Sequence, residues 1–337
     1  MKKIFLIMIN KKAFILFLIS MFLTTCLSCT APNQPLTYTG YYFDTIVNLT
    51  FYNNKDAKLA EECFDLCQSY ENLLSRTVEG SDIWNINHSN GVAVTVSPET
   101  YTLLEEALFY CELSRGKIDI TVAPLMDLWN FTDATKEQTP PTQGEIDALL
   151  THVDYRLIEL ENNTVTLKDP KAAIDLGFIA KGYIADRIKE YLISQGVESA
   201  LINLGGNICA IGNKPDGTAY TIGIQEPFAP GGTTLDTIEI TNTSVVTSGT
   251  YERYFTYNNT IYHHILDATT GYPSDSSLTS VTIICTSALQ ADALSTTCFV
   301  LGKDKALEYI NSLDGAECIL VDTQGNLYYS HNINPDN

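Results

Sequence analysis

Two short segments, far apart in the chain, carry side chains that could bind a cation and a phosphate. The first is residues 175–183, Asp-Leu-Gly-Phe-Ile-Ala-Lys-Gly-Tyr, and the second is residues 291–296, Ala-Asp-Ala-Leu-Ser-Thr. On a helix, Asp292 and Thr296 would lie on one face, and their oxygens suit a hard cation such as Mg²⁺. A cation beside a glycine-containing turn favours phosphate chemistry. Either segment alone would also fit a solvated or capping role.

The first segment could contact a phosphate or a sugar. Asp175 comes shortly before a glycine turn that leads into a predicted helix. At such a turn, backbone amides approach a phosphate closely and a carboxylate accepts a sugar hydroxyl. Lys181 would add a local cation, and the alternative is a solvated lysine at the start of a helix.

Two predicted strand ends carry glycine or hydroxyl-bearing residues. Gly205 and Gly206 form a tight turn, which either lets the backbone approach a ligand or only reverses the chain. Thr247 and Ser248 precede a glycine, which is consistent with phosphate contacts. A simple turn would have the same sequence there.

One histidine is the candidate for proton transfer. The pKa of free imidazole lies near neutral pH, so His264 could take a proton from an attacking hydroxyl group. His263 would face the opposite side if both residues lay on one strand. Asp267 would either orient His264 or form a turn. The alternative for His264 is a hydrogen-bonded structural role.

The start of the chain is typical of an export signal. Four lysines are followed by an apolar run over Ala13–Leu23 and by Cys29 after a small residue. This pattern predicts lipid attachment at Cys29, with Cys26 as a rival. We expect residues 1–28 to be a lipoprotein-type signal peptide and residues 29–38 a tether. The protein would then be exported and lipid-anchored to the outer face of the bacterial cytoplasmic membrane.

Charge and cysteine usage restrict the classes of partner. The formal net charge is −20, and it becomes −24 without residues 1–28, which hold four lysines and no acidic residue. Nucleic acid is therefore not an expected partner, and an anionic ligand would need a metal, backbone amides or local cations. The seven cysteines after Cys29 lie mostly in apolar segments without zinc-like spacing, which favours buried thiols.

The elements that must position these residues mix helices and strands irregularly. Apolar spacing predicts helices over Leu59–Leu74, from Pro98 to near Gly116, and over Ile179–Ser194, Ala288–Leu301 and Lys305–Leu313. Strands are predicted over Gly40–Tyr52, Ser199–Asn203, Tyr220–Gln225, Thr237–Thr247, Ile261–Leu266, Ser280–Cys285, Cys318–Val321 and Leu327–Ser330, with a hairpin over Asp154–Lys168. This mixture favours an α+β architecture over a doubly wound parallel sheet.

The ordered segments resemble those of the FAD:protein FMN transferases, the ApbE-like flavin transferases. The motifs are Gly116 to Leu125 with Trp129, Asp175 to Gly182, Asn203 to Asn207, Thr247 to Gly249, His264 to Asp267 with Gly271, and Asp292 to Thr296. The resemblance implies two mixed α/β subdomains with the ligand cleft between them, within a domain over residues 39–332. It also implies Mg²⁺-dependent transfer of FMN from FAD to a Thr or Ser hydroxyl of a partner redox protein.

The resemblance also assigns site residues. By similarity, Mg²⁺ would be bound by the side chains of Asp292 and Thr296 and by the carbonyl oxygen of Ala180. His264 would be the base or a flavin ligand. The hydroxyl groups and glycines described above, with Asp175 and Lys181, would contact the dinucleotide.

Three further residues resemble family positions near the flavin. Asp119 would lie close to the ring, and Lys117 and Ile118 would add backbone contacts there. The alternative for Asp119 is capping of the turn that follows it.

The chain departs from the family pattern at two places. Phe43-Asp44-Thr45 stands where Met-Gly-Thr is common, and Ser75-Arg76-Thr77 stands where Ser-Thr-Tyr is common. Phe43 could still pack on an isoalloxazine or adenine ring, but the tyrosine that would stack there is missing.

Two alternative functions remain open, namely hydrolysis of FAD to FMN and AMP, and flavin binding by a lipoprotein without catalysis.

Overall fold

A computed structural model describes residues 34–53, 56–131, 138–230 and 232–333 of the chain. The predicted signal peptide, which includes Cys26, lies outside the described residues. The start of the tether, which includes Cys29, also lies outside them. No helix among the described ranges is long and apolar enough to cross a bilayer.

The helices begin at side-chain caps in several cases. Ser97 Oγ accepts a hydrogen bond from Thr100 N, and Pro98 occupies the first turn of the helix that follows. Ser287 caps a later helix in the same way. The helices are α1 (Ala57–Leu74), α2 (Asp82–Asn87), α3 (Pro98–Leu113), α4 (Ala123–Trp129), α5 (Gln143–Leu150), α6 (Ala180–Ser194), α7 (Ala288–Leu301) and α8 (Lys303–Ile310).

The strands form one large sheet and several small ones. They are β1 (Leu36–Tyr42), β2 (Thr45–Phe51), β3 (Val94–Thr95), β4 (Ile158–Glu161), β5 (Thr164–Leu167), β6 (Ala200–Leu204), β7 (Asn207–Ile211), β8 (Tyr220–Gln225), β9 (Thr234–Ile240), β10 (Ser244–Gly249), β11 (Tyr254–Tyr257), β12 (Thr260–His263), β13 (Leu266–Asp267), β14 (Tyr272–Pro273), β15 (Leu278–Cys285), β16 (Ala316–Asp322) and β17 (Leu327–Tyr329).

The large sheet has eight strands in the order β1-β2-β6-β7-β10-β15-β16-β17, and all neighbours are antiparallel. Helices α1, α3, α6, α7 and α8 pack on one face and form the main core with it. The β8–β9 ribbon covers part of the other face through Tyr220, Ile222 and Ile240. An antiparallel sheet with helices on one face is an α+β fold, so the predicted fold class is confirmed.

A second group of elements forms a smaller lobe around an aromatic cluster. Trp129 stacks on Phe131 with ring centroids 5.7 Å apart, and Phe255 and Leu266 join the same cluster. Trp129 Nε1 donates to the carbonyl oxygen of Gly271 at 2.8 Å. This bond ties α4 to the loop that follows β13.

Several predicted elements differ from the structure. A turn divides each of two predicted strands, and one segment forms an additional helix. The predicted strand Gly40–Tyr52 is a hairpin, because Phe43 and Asp44 both adopt φ of 56° without a glycine or asparagine to signal the turn. The predicted strand Thr237–Thr247 is likewise divided into β9 and β10. Asp82–Asn87, for which the sequence predicted no helix, form α2, and Ser81 is its N-cap.

Candidate active site

A cavity of about 900 Å³ lies where the large sheet, its helices and the smaller lobe meet. Its wall includes the β1–β2 turn, the end of α1, the start of α6, the end of β10 and one face of α7. This volume is typical of sites for large cofactors.

The crossing of α6 and α7 brings the two predicted segments together. Gly182 N donates to Asp292 Oδ2 at 2.8 Å, and Lys181 Nζ lies 3.9 Å from Asp292 Oδ1. A Cβ atom on Gly182 would lie only 2.2 Å from the carbonyl oxygen of Ala288. Glycine is therefore required for the two helices to approach this closely.

Thr296 takes part in a chain of hydroxyl groups. Ser295 Oγ donates to the carbonyl oxygen of Asp292 at 2.8 Å. Ser248 Oγ lies 2.7 Å from Ser295 Oγ and 2.9 Å from Thr296 Oγ1. Because Ser295 uses its proton on the carbonyl, Ser248 donates to Ser295 and Thr296 donates to Ser248. The lone pairs of Thr296 Oγ1 are left available to a cation.

The oxygen donors at this crossing fit a hard cation. Asp292 is 3% exposed, and burial raises the pKa of its carboxyl group, although Lys181 and the N–H of Gly182 oppose this change. A cation bound there would offset that unfavourable burial. Ala180, at the start of α6, and Thr296 line the same cavity. Within the described ranges, no cluster of three or more His, Cys, Asp or Glu side chains could hold a metal, so hydroxyl and carbonyl ligands would be needed.

His264 lines the cavity directly after β12. Its Nδ1 lies 3.2 Å from the carbonyl oxygen of Arg253, so Nδ1 carries the proton and Nε2 has a free lone pair. Burial, with help from the charge of Arg253, lowers the pKa of His264 to about 3. The side chain is therefore neutral at physiological pH. His263, at the end of β12, is buried and does not line the cavity.

Asp267 does not orient His264. Lys117 Nζ pairs with Asp267 Oδ2, and Thr269 N and Oγ1 donate to Asp267 Oδ1. Neither Lys117 nor Asp267 lines the cavity. The hydrogen bonds of Asp267 are those of the turn-forming alternative, and none of them joins Asp267 to His264.

Asp119 is engaged by the backbone of its own lobe. Its Oδ1 accepts from Thr121 N at 2.8 Å, and its Oδ2 accepts from Tyr155 N at 2.7 Å. This geometry is the capping alternative, although Asp119 and Ile118 also line the cavity. Burial raises the pKa of Asp119 against these hydrogen bonds.

Several of the remaining predicted ligand contacts already hydrogen-bond to partners within the protein. Asp175 lines the cavity, with Oδ1 accepting from Gly177 N at 2.7 Å. Thr247 Oγ1 is bonded to Thr282 Oγ1 at 2.8 Å, and Ser248 acts on Thr296 as described above. The lining residues also include Phe43, Lys181, Gly205, Thr247 and Ser248.

The two glycines of the turn between β6 and β7 have different roles. Gly205 adopts φ of 59°, and a Cβ atom there would lie 2.3 Å from Thr45 Oγ1. Gly206 donates its N–H to Asn203 Oδ1 and does not line the cavity. Only Gly205 therefore lets the backbone approach a ligand.

The sequence did not single out the two arginines of the cavity as ligand contacts. Arg76 Nη2 lies 2.8 Å from Asp127 Oδ1, and Arg76 Nε lies 2.9 Å from Asp175 Oδ2. Arg253 lines the cavity beside His264. The only signal for Arg76 was its departure from the family pattern.

The fold is similar to that of solved ApbE proteins. The ApbE protein of Thermotoga maritima has a TM-score of 0.81 and 35% identity, covering 88% of this chain and 97% of that one. The flavin transferase ApbE of Vibrio cholerae has a TM-score of 0.78 and 28% identity, covering 89% and 98%.

The chain belongs to the ApbE family, whose model matches residues 43–320. Among curated proteins, the FAD:protein FMN transferase of Klebsiella pneumoniae is 36% identical over 292 residues, which cover 86% of this chain and 90% of that protein. The protein of the same name from Treponema pallidum is 34% identical over 277 residues, with coverage of 77% and 76%. The suspected family is thus confirmed.

Proposed function

We propose that this protein transfers FMN from FAD to a Thr or Ser hydroxyl of a partner redox protein, in a Mg²⁺-dependent reaction that releases AMP. Its relatives carry the name of that activity. The observation that carries the proposal is the convergence of Asp292, Thr296, Ala180 and His264 on one large cavity.

The reaction balances as a phosphoryl transfer. The acceptor hydroxyl oxygen forms a bond to the phosphorus of the FMN half, and the bond from that phosphorus to the bridging oxygen breaks. AMP leaves with the bridging oxygen, and the acceptor gains a phosphoester. The hydroxyl proton must be removed as the new bond forms.

Each residue then has a stated task. Nε2 of His264 accepts the hydroxyl proton, since Nδ1 is held by the Arg253 carbonyl. Mg²⁺, when bound, would neutralise charge on the diphosphate oxygens. Asp292, Thr296 and the Ala180 carbonyl would hold it, and Lys181 would add a second positive charge beside them.

The proposal extends to where the protein works. The lysine-rich start, the apolar run and Cys29 support export and a lipid anchor on the outer face of the cytoplasmic membrane. A tether of polar residues would leave the cavity free to meet a membrane-associated acceptor.

The test is a transfer assay with the purified protein, FAD, Mg²⁺ and candidate redox proteins. We expect a protein band that stays fluorescent after denaturation, together with one AMP for each flavin attached. The control omits Mg²⁺ and adds EDTA. Release of free FMN and AMP without a labelled band would support hydrolysis instead, and unchanged FAD with every acceptor would support binding alone.

A further inference from the structure

Arg76 occupies an unusual position in the cavity wall. It follows α1, and its guanidinium group bridges Asp127 on α4 and Asp175 in the turn before α6. These two contacts use two of the five N–H donors of the side chain, so three remain among the described contacts. The side chain is 28% exposed and lines the cavity.

The charge around Arg76 disfavours a phosphate. One guanidinium faces two carboxylates, so the local sum is negative, and an added phosphate would be repelled. A neutral ring meets no such repulsion. A guanidinium plane stacks on aromatic rings and donates hydrogen bonds to their polar edges.

The neighbours of Arg76 also suit a ring. Leu74, Val78, Val122 and Met126 line the same cavity, and each is close in sequence to Arg76 or Asp127. These four apolar side chains share the wall with polar residues such as Ser75, Thr77 and Asn130, whereas the oxygen donors for a cation lie at the crossing of α6 and α7. Apolar walls with a few polar groups are typical of sites for planar ligands.

Phe43 lies at the same end of the cavity. Its backbone N–H donates to Glu71 Oε1 at 2.8 Å, and Glu71 is in the last turn of α1, just before Arg76. Phe43 adopts φ of 56°, a conformation that bulky residues rarely adopt and that is found at ligand sites. Both side chains line the cavity.

We infer that Arg76, locked between Asp127 and Asp175, recognises a planar heteroaromatic ring of the dinucleotide beside Phe43. The ring is the isoalloxazine or the adenine. This inference rests on the proposed function, because it takes FAD as the ligand. It makes Arg76 a specificity-determining residue of the cavity.

The test measures binding of FAD, riboflavin and ADP in EDTA by titration calorimetry, for the whole protein and its variants. Arg76→Lys keeps the charge and loses the planar group, so we expect FAD to bind about tenfold more weakly. Only one fragment should weaken by a similar factor. A loss for riboflavin identifies the isoalloxazine, and a loss for ADP identifies the adenine.

Two further variants serve as controls. Arg156→Lys changes an exposed arginine that pairs with Asp154 outside the cavity, and it should bind all three ligands as the wild type does. Asp127→Asn keeps the guanidinium group and weakens one of its two ion pairs, so its loss of FAD affinity should be smaller than that of Arg76→Lys. An equal or larger loss would assign the effect to the ion pairs and overturn the inference.

Two other results would overturn it. One is FAD affinity within twofold of wild type in Arg76→Lys, and the other is an equal loss for both fragments, which indicates a distorted cavity. A wild-type protein that binds neither FAD nor its fragments in EDTA, and that binds no FAD when Mg²⁺ replaces EDTA, would refute the proposed function instead.

Discussion

At the scale of single residues, the buried carboxylate of Asp292 is the feature that needs explaining. It is almost fully enclosed, with one N–H donor at 2.8 Å and the ammonium of Lys181 at 3.9 Å. Burial raises its pKa, so the ionised form is disfavoured in the ligand-free fold. A residue kept under this penalty is expected to serve a ligand.

Asp292→Asn keeps the shape and the acceptor for Gly182 but removes the charge. We expect Mg²⁺ binding and Mg²⁺-dependent turnover to fall to background, because a hard cation loses its only carboxylate ligand. Burial raises the pKa of Asp292 in the folded state above its value in the unfolded state. Ionisation of this carboxyl group therefore destabilises the wild type as pH rises above the unfolded-state pKa. The variant should therefore be at least as stable at pH 8 by thermal unfolding.

The exposed Asp147→Asn is the matched control and should change neither property. Full turnover in Asp292→Asn would rule out this cation site.

His264→Ala should slow transfer by about 10²–10⁴-fold if His264 accepts the hydroxyl proton. The wild-type pH profile gives a second check. Because the native pKa is about 3, kcat/KM should not fall between pH 8 and 6.5 through protonation of His264. A base with the ordinary pKa of 6.5 would lose half its rate at pH 6.5. A wild-type rate in His264→Ala would leave only a structural role.

At the scale of elements, the crossing of α6 and α7 sets the geometry of the site. Ala180, Lys181 and Gly182 come from one helix, and Asp292 and Thr296 come from the other. Asp186 on α6 also accepts from Ser287 Oγ at 2.8 Å and from Ala288 N at 2.9 Å. The start of α7 is thus fixed to α6 at two points.

Gly182→Ala should separate these helices, because the new Cβ would lie 2.2 Å from a carbonyl oxygen of α7. We expect lower thermal stability and weaker Mg²⁺ binding, which is measured as a higher Mg²⁺ concentration for half-maximal rate. Gly144→Ala on α5 is the control, since nothing lies within 4 Å of its Cβ position, and it should be neutral or slightly stabilising. Equal behaviour of the two variants would contradict the role of the crossing.

The long helices and the buried strands could be predicted from the sequence. Ala288–Leu301 and Tyr220–Gln225 have the predicted bounds, and the hairpin over Asp154–Lys168 contains β4 and β5. The β1–β2 turn could not be predicted, since Phe43 and Asp44 are poor residues for positive φ. Tertiary contacts, such as the hydrogen bond from Phe43 N to Glu71, stabilise it.

Many of the residues that line the cavity could be predicted from the sequence, but the hydrogen bonds and ion pairs between them could not. Spacing placed Asp292 and Thr296 on one helix face, the chemistry of imidazole selected His264, and the resemblance added Ala180. The pairing of Lys117 with Asp267 joins residues 150 apart in sequence, so no local pattern could signal it. The same is true of Arg76, whose two partners come from separate segments.

At the scale of the whole molecule, buried histidines couple stability to pH. Burial lowers the pKa of His263 to about 4 and that of His264 to about 3, against 6.5 in an unfolded chain. The unfolded state therefore binds more protons between these values. Stability is fully present above pH 6.5 and is lost as pH falls toward 4.

His263→Phe removes one of these groups and keeps a ring against Phe299. We expect the wild type to lose about 2 kcal/mol more than the variant in free energy of unfolding between pH 8 and pH 5. Urea unfolding at both pH values measures this difference. An equal pH dependence in the two proteins would contradict a buried, neutral His263.

The central claim is that a divalent cation bound by α6 and α7 sits on the diphosphate of a dinucleotide. A crystal structure of the protein with FAD and Mn²⁺, recorded at the Mn²⁺ absorption edge, tests it most directly. We predict one anomalous peak within coordination distance of Asp292, Thr296 and the Ala180 carbonyl, with diphosphate oxygens completing the shell. Bound FAD with the peak away from these oxygens would contradict the account.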